Sequence, residues 1–182
     1  DYLFNQYPKE VKVYKSIFNK PIWVTEWNLQ MSKTTGNTLL QSLFVAHYLL
    51  ELLSNPDLSA IELTTYHNLG GRDLSGSIFG NNGEEMEIRS TYYPFMLIGK
   101  IFQNDIVSFV KENKDEVFSY KCYNSNKVVI LEYRIDWKNN KFYCIYDIHP
   151  LSSSVMLYES DNLSDTPNKK GILKLEKIIT VD

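Results

Sequence analysis

Two hydrophobic periodicities follow one another along the chain, and the change between them falls near residue 104. From Pro8, which suits a first helical turn, Val11, Tyr14, Ile17 and Phe18 recur at helical spacing until Asn19-Lys20-Pro21 breaks the pattern. Ile22 to Thr25 is a short apolar, β-branched run, the composition of a buried strand. Gln30 to Gly36 is polar and reads as a loop. Thr38-Leu39-Leu40-Gln41 then fits a capping box, and residues 39–53 predict the longest helix of the chain. That helix is apolar almost all round, so it is expected to be covered on more than one side. Asn55-Pro56-Asp57 ends it, and Ser59 to Tyr66 predicts a second strand. In the glycine-bearing stretch from Gly70 to Gly83, Ser77-Ile78-Phe79-Gly80 and Asn81-Asn82-Gly83 read as a hairpin around a tight turn. Tyr92 to Phe102 predicts a third helix with Pro94 in its first turn. Helix, strand, helix, strand, helix with short links is the signature of parallel β/α units.

Beyond Asn104 the period drops to two. Ile106 to Val110, Val117 to Tyr123, Lys127 to Arg134 and Lys141 to Ile148 are strand-length runs, and Val155 to Glu159 and Ile172 to Val181 extend the series. Phe118, Tyr120 and Cys122 share one face of their strand, as do Phe142, Cys144 and Tyr146 of theirs. Asn124-Ser125-Asn126 and Lys138-Asn139-Asn140 have the composition of hairpin turns, and Asp161 to Lys170 is a polar loop. The fold class expected is therefore α/β followed by all-β: β/α units over residues 1–104, and an antiparallel sheet or β-sandwich over 105–182. The chain shows no internal repeat and no low-complexity tract.

A chain of 182 residues is long enough for one domain or two small ones. The net charge of −3 gives no reason to expect nucleic acid or an anionic membrane as partner. No apolar run approaches the roughly 20 residues of a membrane span. The two cysteines, Cys122 and Cys144, define no disulfide framework; they either pair across the sheet or stay as buried thiols. Asp1 opens directly into Tyr2-Leu3-Phe4 without an initiator Met or signal peptide, so the chain is expected to be a piece of something longer.

The candidate chemistry sits in Pro21-Ile22-Trp23-Val24-Thr25-Glu26-Trp27-Asn28. An ionised Glu is rarely buried without a partner, so a buried strand that closes on one is costly. Flanked by Trp27 and Asn28, Glu26 reads as the floor of a pocket, because Trp offers a flat apolar face and Asn two donors and an acceptor. Those are the parts that hold a sugar beside a carboxylate. The plainer reading stands next to it, with Glu26 capping a loop and Trp27 packing.

Trp23-Val24-Thr25-Glu26-Trp27-Asn28 resembles the seventh-strand motif of clan A retaining glycoside hydrolases, above all the α-L-arabinofuranosidases and their β-xylosidase-like relatives. The catalytic domain of that family is a (β/α)8 TIM barrel. Residues 39–53 resemble its seventh helix, Ser77 to Gly83 the turn after the eighth strand, and Thr91-Tyr92-Tyr93-Pro94-Phe95 the opening of the eighth helix. Residues 105–182 are similar to the β-sandwich that follows the barrel. The sharp part of the resemblance is the six-residue motif alone. The departures are also plain. A barrel takes about 250 residues, and only two barrel strands precede the sandwich-like half. The family's acid/base, a Glu after Asn at the end of the fourth strand, has no counterpart. The resemblance therefore implies the C-terminal part of an enzyme, with the N-terminal barrel portion of the same parent chain as its missing partner. Secretion or a periplasmic location is implied by the same analogy.

Retaining hydrolysis uses two carboxyl groups about 5–5.5 Å apart, one nucleophile and one acid/base. The resemblance makes Glu26 the nucleophile and the second carboxylate a residue of the missing portion. A nucleophile of this kind stays ionised and wants donors around it, and Asn28 and the Tyr66 hydroxyl are candidates. Trp27 packs either on the sugar or outward, and His67 binds substrate or serves structure. Glu62 lies four residues before Tyr66, about 13 Å down the strand and too deep for the mouth of a site. Glu84, Glu85 and Glu87 read as a solvated charge run, and Asp73 lies on a loop over the site. His47 reads as a packed, hydrogen-bonded histidine, and His149 carries no signal. No Cys/His cluster has metal-ligand spacing and no phosphate loop is present, so neither metal nor cofactor is expected. A carbohydrate-binding or scaffold module is the alternative to the enzyme.

Overall fold

A computed structural model gives the architecture; it describes residues 6–29, 37–71, 76–81, 85–102, 108–114, 117–123, 128–136, 141–149, 154–162 and 178–180. Helix α1 (Tyr7–Phe18) carries Pro8 in its first turn. It stops where Asn19 turns left-handed, at φ 46°, and returns its N–H to the Lys15 carbonyl. Strand β1 (Ile22–Trp27) follows. Helix α2 (Leu39–Ser54) starts at Thr38, whose hydroxyl accepts from Gln41 N, while the Gln41 side chain folds back to accept from Asn37 N at 2.9 Å. One turn of 3-10 helix, Pro56–Leu58, leads into β2 (Ile61–Tyr66). A small sheet of β3 (Gly70–Gly71), β4 (Phe79–Asn81) and β5 (Met86–Ile88) precedes helix α3 (Tyr92–Phe102).

β1 and β2 run parallel as a two-stranded sheet. Helices α1, α2 and α3 each contribute to the core on one of its faces: Val24, Trp27 and Tyr66 meet Tyr7 of α1, Phe44, Val45, Tyr48, Leu49 and Leu52 of α2, and Phe95 of α3. The other face is open, with Trp23 65 % and Leu63 47 % exposed. The helical stripe expected on α1 is buried only at Val11; Tyr14, Ile17 and Phe18 stand out from the surface, because two strands are too narrow to cover them.

The pairing of β1 with β2 is irregular in two places, and both matter for the site. Ile22 and Trp23 face Ile61 and Leu63, so β2 carries an extra residue, Glu62. Val24 and Trp27 face Thr64 and Tyr66, so β1 carries an extra residue across Thr25 and Glu26. The second irregularity is a β-bulge of the kind that re-aims side chains. It lets Val24 and Trp27, three positions apart, face the same core while Thr25 and Glu26 both remain exposed.

The remaining strands, β6 (Ser108–Lys114), β7 (Val117–Tyr123), β8 (Val128–Asp136), β9 (Lys141–His149), β10 (Ser154–Asn162) and β11 (Ile178–Thr180), form one antiparallel sheet in sequential order. Among the described residues the first strand runs past the end of its apolar run at Val110, because Lys111, Glu112 and Lys114 continue the ladder with β7; residues 106 and 107 lie outside the described residues. Cys122 pairs with Val129 on β8, whereas Cys144 on β9 pairs with Tyr133. The two cysteines are thus two strands apart and offset along them, beyond the roughly 7 Å that a disulfide spans. Of the polar loop expected from Asp161 to Lys170, Asp161 and Asn162 instead continue β10 by pairing with Phe142 and Lys141; residues 163–170 and the predicted turns at 124–126 and 138–140 lie outside the described residues.

Candidate functional site

Because β1 and β2 are parallel, their C-terminal ends lie together, and with them Glu26, Trp27, Asn28, Tyr66 and His67. Trp27 and Tyr66 are register partners, and the His67 N–H donates to the Trp27 carbonyl at 3.0 Å, carrying the pairing one step past the strands. Glu26 is exposed, and among the described residues no side-chain hydrogen bond or ion pair reaches its carboxylate. His67 is exposed as well.

Trp27 is a core residue, 9 % exposed. Its ring packs 4.2 Å from Tyr48 and edge-on to Tyr66 at 4.9 Å, and its buried indole N–H has no hydrogen-bond partner among the described residues. Of the two packings open to Trp27 in the sequence, the structure has the one under α2. Tyr66 is wedged between Trp27 and Phe95, with ring centroids 4.9 and 5.1 Å away. Burial pushes its hydroxyl up to about 12, against a smaller opposing effect of hydrogen bonding with Thr91.

Asn28 is held by its neighbours. Its Nδ2 donates to the His67 carbonyl, and its Oδ1 accepts from Leu29 N at 2.7 Å and faces the Tyr66 hydroxyl at 3.2 Å. The same hydroxyl donates to the Gly76 carbonyl. Gly76 has φ +64°, a conformation open to glycine. A Cβ there would lie 2.5 Å from Asn28 Nδ2, so the bare backbone lets the amide fit.

The loop behind this contact is pinned by buried polar groups. Thr91 Oγ1 donates to the Ser77 carbonyl at 3.0 Å, and Arg89 Nη1 donates to Ser77 Oγ at 3.1 Å. The Arg89 guanidinium lies so close over Gly80 that a Cβ would collide with it. Arg89 was not legible as a site-supporting residue, since the only signal is a cation beside Ser90 and Thr91, a composition that also suits a surface loop.

The other carboxylates lie elsewhere. Glu62 is exposed at the irregularity of β2, toward the start of that strand. Glu85 is exposed, and Glu87 is 4.0 Å from Arg89 Nε. Asp73 and Glu84 lie outside the described residues. The concavities lined by described residues include the following two. One is an apolar cleft of about 490 Å³ between Tyr14, Phe18, Lys20, Pro21 and Ile22; the other, about 270 Å³, lies along β2 between α2 and α3. Neither includes Glu26. Among the described residues no three His, Cys, Asp or Glu side chains gather as metal ligands would, and no helix is long and apolar enough to cross a membrane.

A second polar cluster joins α2 to the antiparallel sheet. Glu51, 1 % exposed, accepts from Tyr120 OH at 2.7 Å, Lys111 Nζ at 2.8 Å and Asn55 Nδ2 at 2.8 Å. Burial raises its carboxyl, but those three donors outweigh it, and the net effect is a lowered value. His47, one turn earlier, has Nδ1 3.3 Å from Tyr120 OH and sits edge-on to Phe118. Burial pushes it down to about 3, Glu51 opposing and Lys111 reinforcing. The sequence offered a signal for this cluster in the single acid of an otherwise leucine-rich helix. Comparison of the chain with protein-family models, with curated proteins and with solved structures finds no match.

Proposed function

We propose that the chain is the C-terminal part of a retaining glycoside hydrolase, resembling the α-L-arabinofuranosidases. Residues 1–104 would supply the last two strands of a (β/α)8 barrel and residues 105–182 a β-sandwich. The observation that carries the reading is the exposure of Glu26 at the shared C-terminal end of two parallel strands, the end where barrel enzymes keep their chemistry. A bulge at a strand end is also a common device beside active sites.

In this reading Glu26 attacks the anomeric carbon and forms a glycosyl-enzyme ester. The aglycone oxygen leaves with a proton from an acid outside this chain, and water then hydrolyses the ester with that same residue as base. The substrate is a plant-type polysaccharide or oligosaccharide. Asn28 and His67 edge the site, with Trp27 as the packed support beneath.

The test is a mechanism-based fluoroglycoside applied to the intact parent enzyme, with the labelled peptide identified by mass spectrometry. The label is expected on Glu26. A label on another carboxylate such as Glu62 refutes the assignment. An upstream reading frame without six further β/α units and an Asn-Glu at the fourth strand favours a carbohydrate-binding or scaffold module instead.

A further inference from the structure

A tyrosine hydroxyl has one proton to give. At Tyr66 the Gly76 carbonyl and Asn28 Oδ1 compete for it, with the Thr91 hydroxyl beside them. The ring cannot swing away, because Trp27 and Phe95 hold it from two sides. The Gly76 carbonyl is held too, since the next residue, Ser77, is fixed by Thr91 through its backbone oxygen and by Arg89 through its hydroxyl. On the Asn28 side the amide has one orientation. A backbone N–H only donates, so the atom facing Leu29 N must be oxygen, and the nitrogen then points at the His67 carbonyl.

From this geometry we infer that Tyr66 serves the candidate site as a positioning residue for Asn28 rather than by touching a sugar. Its catalytic consequence rests on the glycosidase reading above; its structural part rests on the hydrogen bonds alone. Tyr66 ties the rim at Asn28 to the Gly76 loop, and so fixes the donor that stands two residues beyond Glu26. Gly76 completes the arrangement, because any side chain there would push the amide out of place.

A double-mutant cycle in the intact parent enzyme tests the catalytic part. Losing one neutral hydrogen bond corresponds to about a five- to tenfold change, so Tyr66→Phe is expected to lower kcat/KM by that much. Asn28→Ala is expected to lower it further, and the double variant should equal Asn28→Ala alone. Effects that multiply would mean that Tyr66 contacts substrate directly and would overturn the inference. The structural part is read in the present chain by nuclear magnetic resonance of the Asn28 side-chain amide. In Tyr66→Phe that pair is expected to shift and to exchange with solvent about tenfold faster, and Thr91→Val should move it in the same direction by less. An Asn28 amide unchanged in both variants overturns the inference whatever the enzymology shows. A parent enzyme without glycosidase activity removes the functional reading while the resonance result still decides the positioning.

Discussion

Trp27 lies opposite Tyr66 in the parallel ladder although the strand that carries it is one residue longer between this pair and the last. With regular pairing, Glu26 would have taken the position facing Tyr66 and pointed into the helices, and Trp27 would have turned outward. The bulge reverses both. It places a large aromatic ring under α2 and a carboxylate at the surface, the arrangement each group prefers.

Trp27→Ala should therefore be among the most damaging changes in the chain. Emptying the space between Tyr48 and Tyr66 is expected to cost about 3–5 kcal/mol. Glu26→Gln, at an exposed position, should change stability by less than about 0.5 kcal/mol. Urea denaturation of the two variants checks both values. A mild effect of Trp27→Ala would mean that the ring is not packed in this way.

Removing Thr25 gives a complementary test. The deletion takes out the extra residue and restores regular pairing with Trp27 still opposite Tyr66. The shortened chain is expected to fold with stability within about 1–2 kcal/mol of the original, since no core side chain is lost. On the glycosidase reading proposed above, the same deletion in a longer parent should abolish fluoroglycoside labelling, because positioning errors of an ångström cost about a hundredfold in rate. Retained labelling would show that the bulge has no part in aiming Glu26.

This bulge is also where sequence reasoning stops. The boundaries of α2 and α3 and the starts of β1 and β2 follow from long periodic runs and flanking breakers, and the structure places them within about two residues of the pattern. A strict period of two, by contrast, puts Trp27 on the face of Trp23, and nothing in the residues themselves announces an inserted position. Glu51 illustrates a different limit. A lone acid among leucines is visible as an anomaly, but its partners Lys111 and Tyr120 come from strands some sixty residues on, and only tertiary structure brings them to it. Likewise Gly76 is one glycine among several in its loop until its positive φ and its contact with Asn28 are known.

The Glu51 and His47 cluster predicts an acid-labile fold. His47 is held at about 3 in the folded chain against an ordinary value of 6.5, so the unfolded chain binds a proton between those limits that the folded chain refuses. Its contribution is fully present above pH 6.5 and falls as pH drops toward 3. Glu51 has a lowered value too, so its contribution is present above about 4.5 and is lost as pH falls through its folded value. Stability should begin to decline below pH 6.5, before most carboxylates titrate. His47→Gln should flatten the slope between pH 6.5 and 4.5 and leave the steeper loss below it. An unchanged slope in that variant would assign the effect to other groups.

Glu51→Ala tests the same joint by charge. Breaking a fully buried ion pair costs about 3–5 kcal/mol. The cost here should fall at or below that range, because the Lys111 side chain keeps 24 % of its surface in water and can solvate its charge. Glu51→Gln should cost less than Glu51→Ala, since the amide still accepts from Tyr120. Equal costs for the two would show that the space Glu51 fills, and not its hydrogen bonds, holds α2 to the sheet.

The last expectation concerns turnover. By itself the 182-residue chain should not hydrolyse aryl glycosides at a useful rate. It offers Glu26 at the strand ends, but Glu62 lies toward the start of β2 and Glu87 is turned to Arg89, so neither of these two stands ready to protonate a leaving oxygen beside it. General acid–base assistance is typically worth about 10²–10⁴-fold. Among the described residues the open face of β1 and β2 also has no opposite wall to orient a sugar, and orientation is worth as much again. If the proposed glycosidase reading holds, Glu26→Gln in a longer parent should nearly abolish turnover with stability unchanged, because the amide keeps the shape and loses the nucleophile. Initial-rate assays on the two preparations separate the cases. Robust hydrolysis by the isolated chain would mean that a complete pair of carboxylates lies within these residues, and the nucleophile role of Glu26 would then have to be given up.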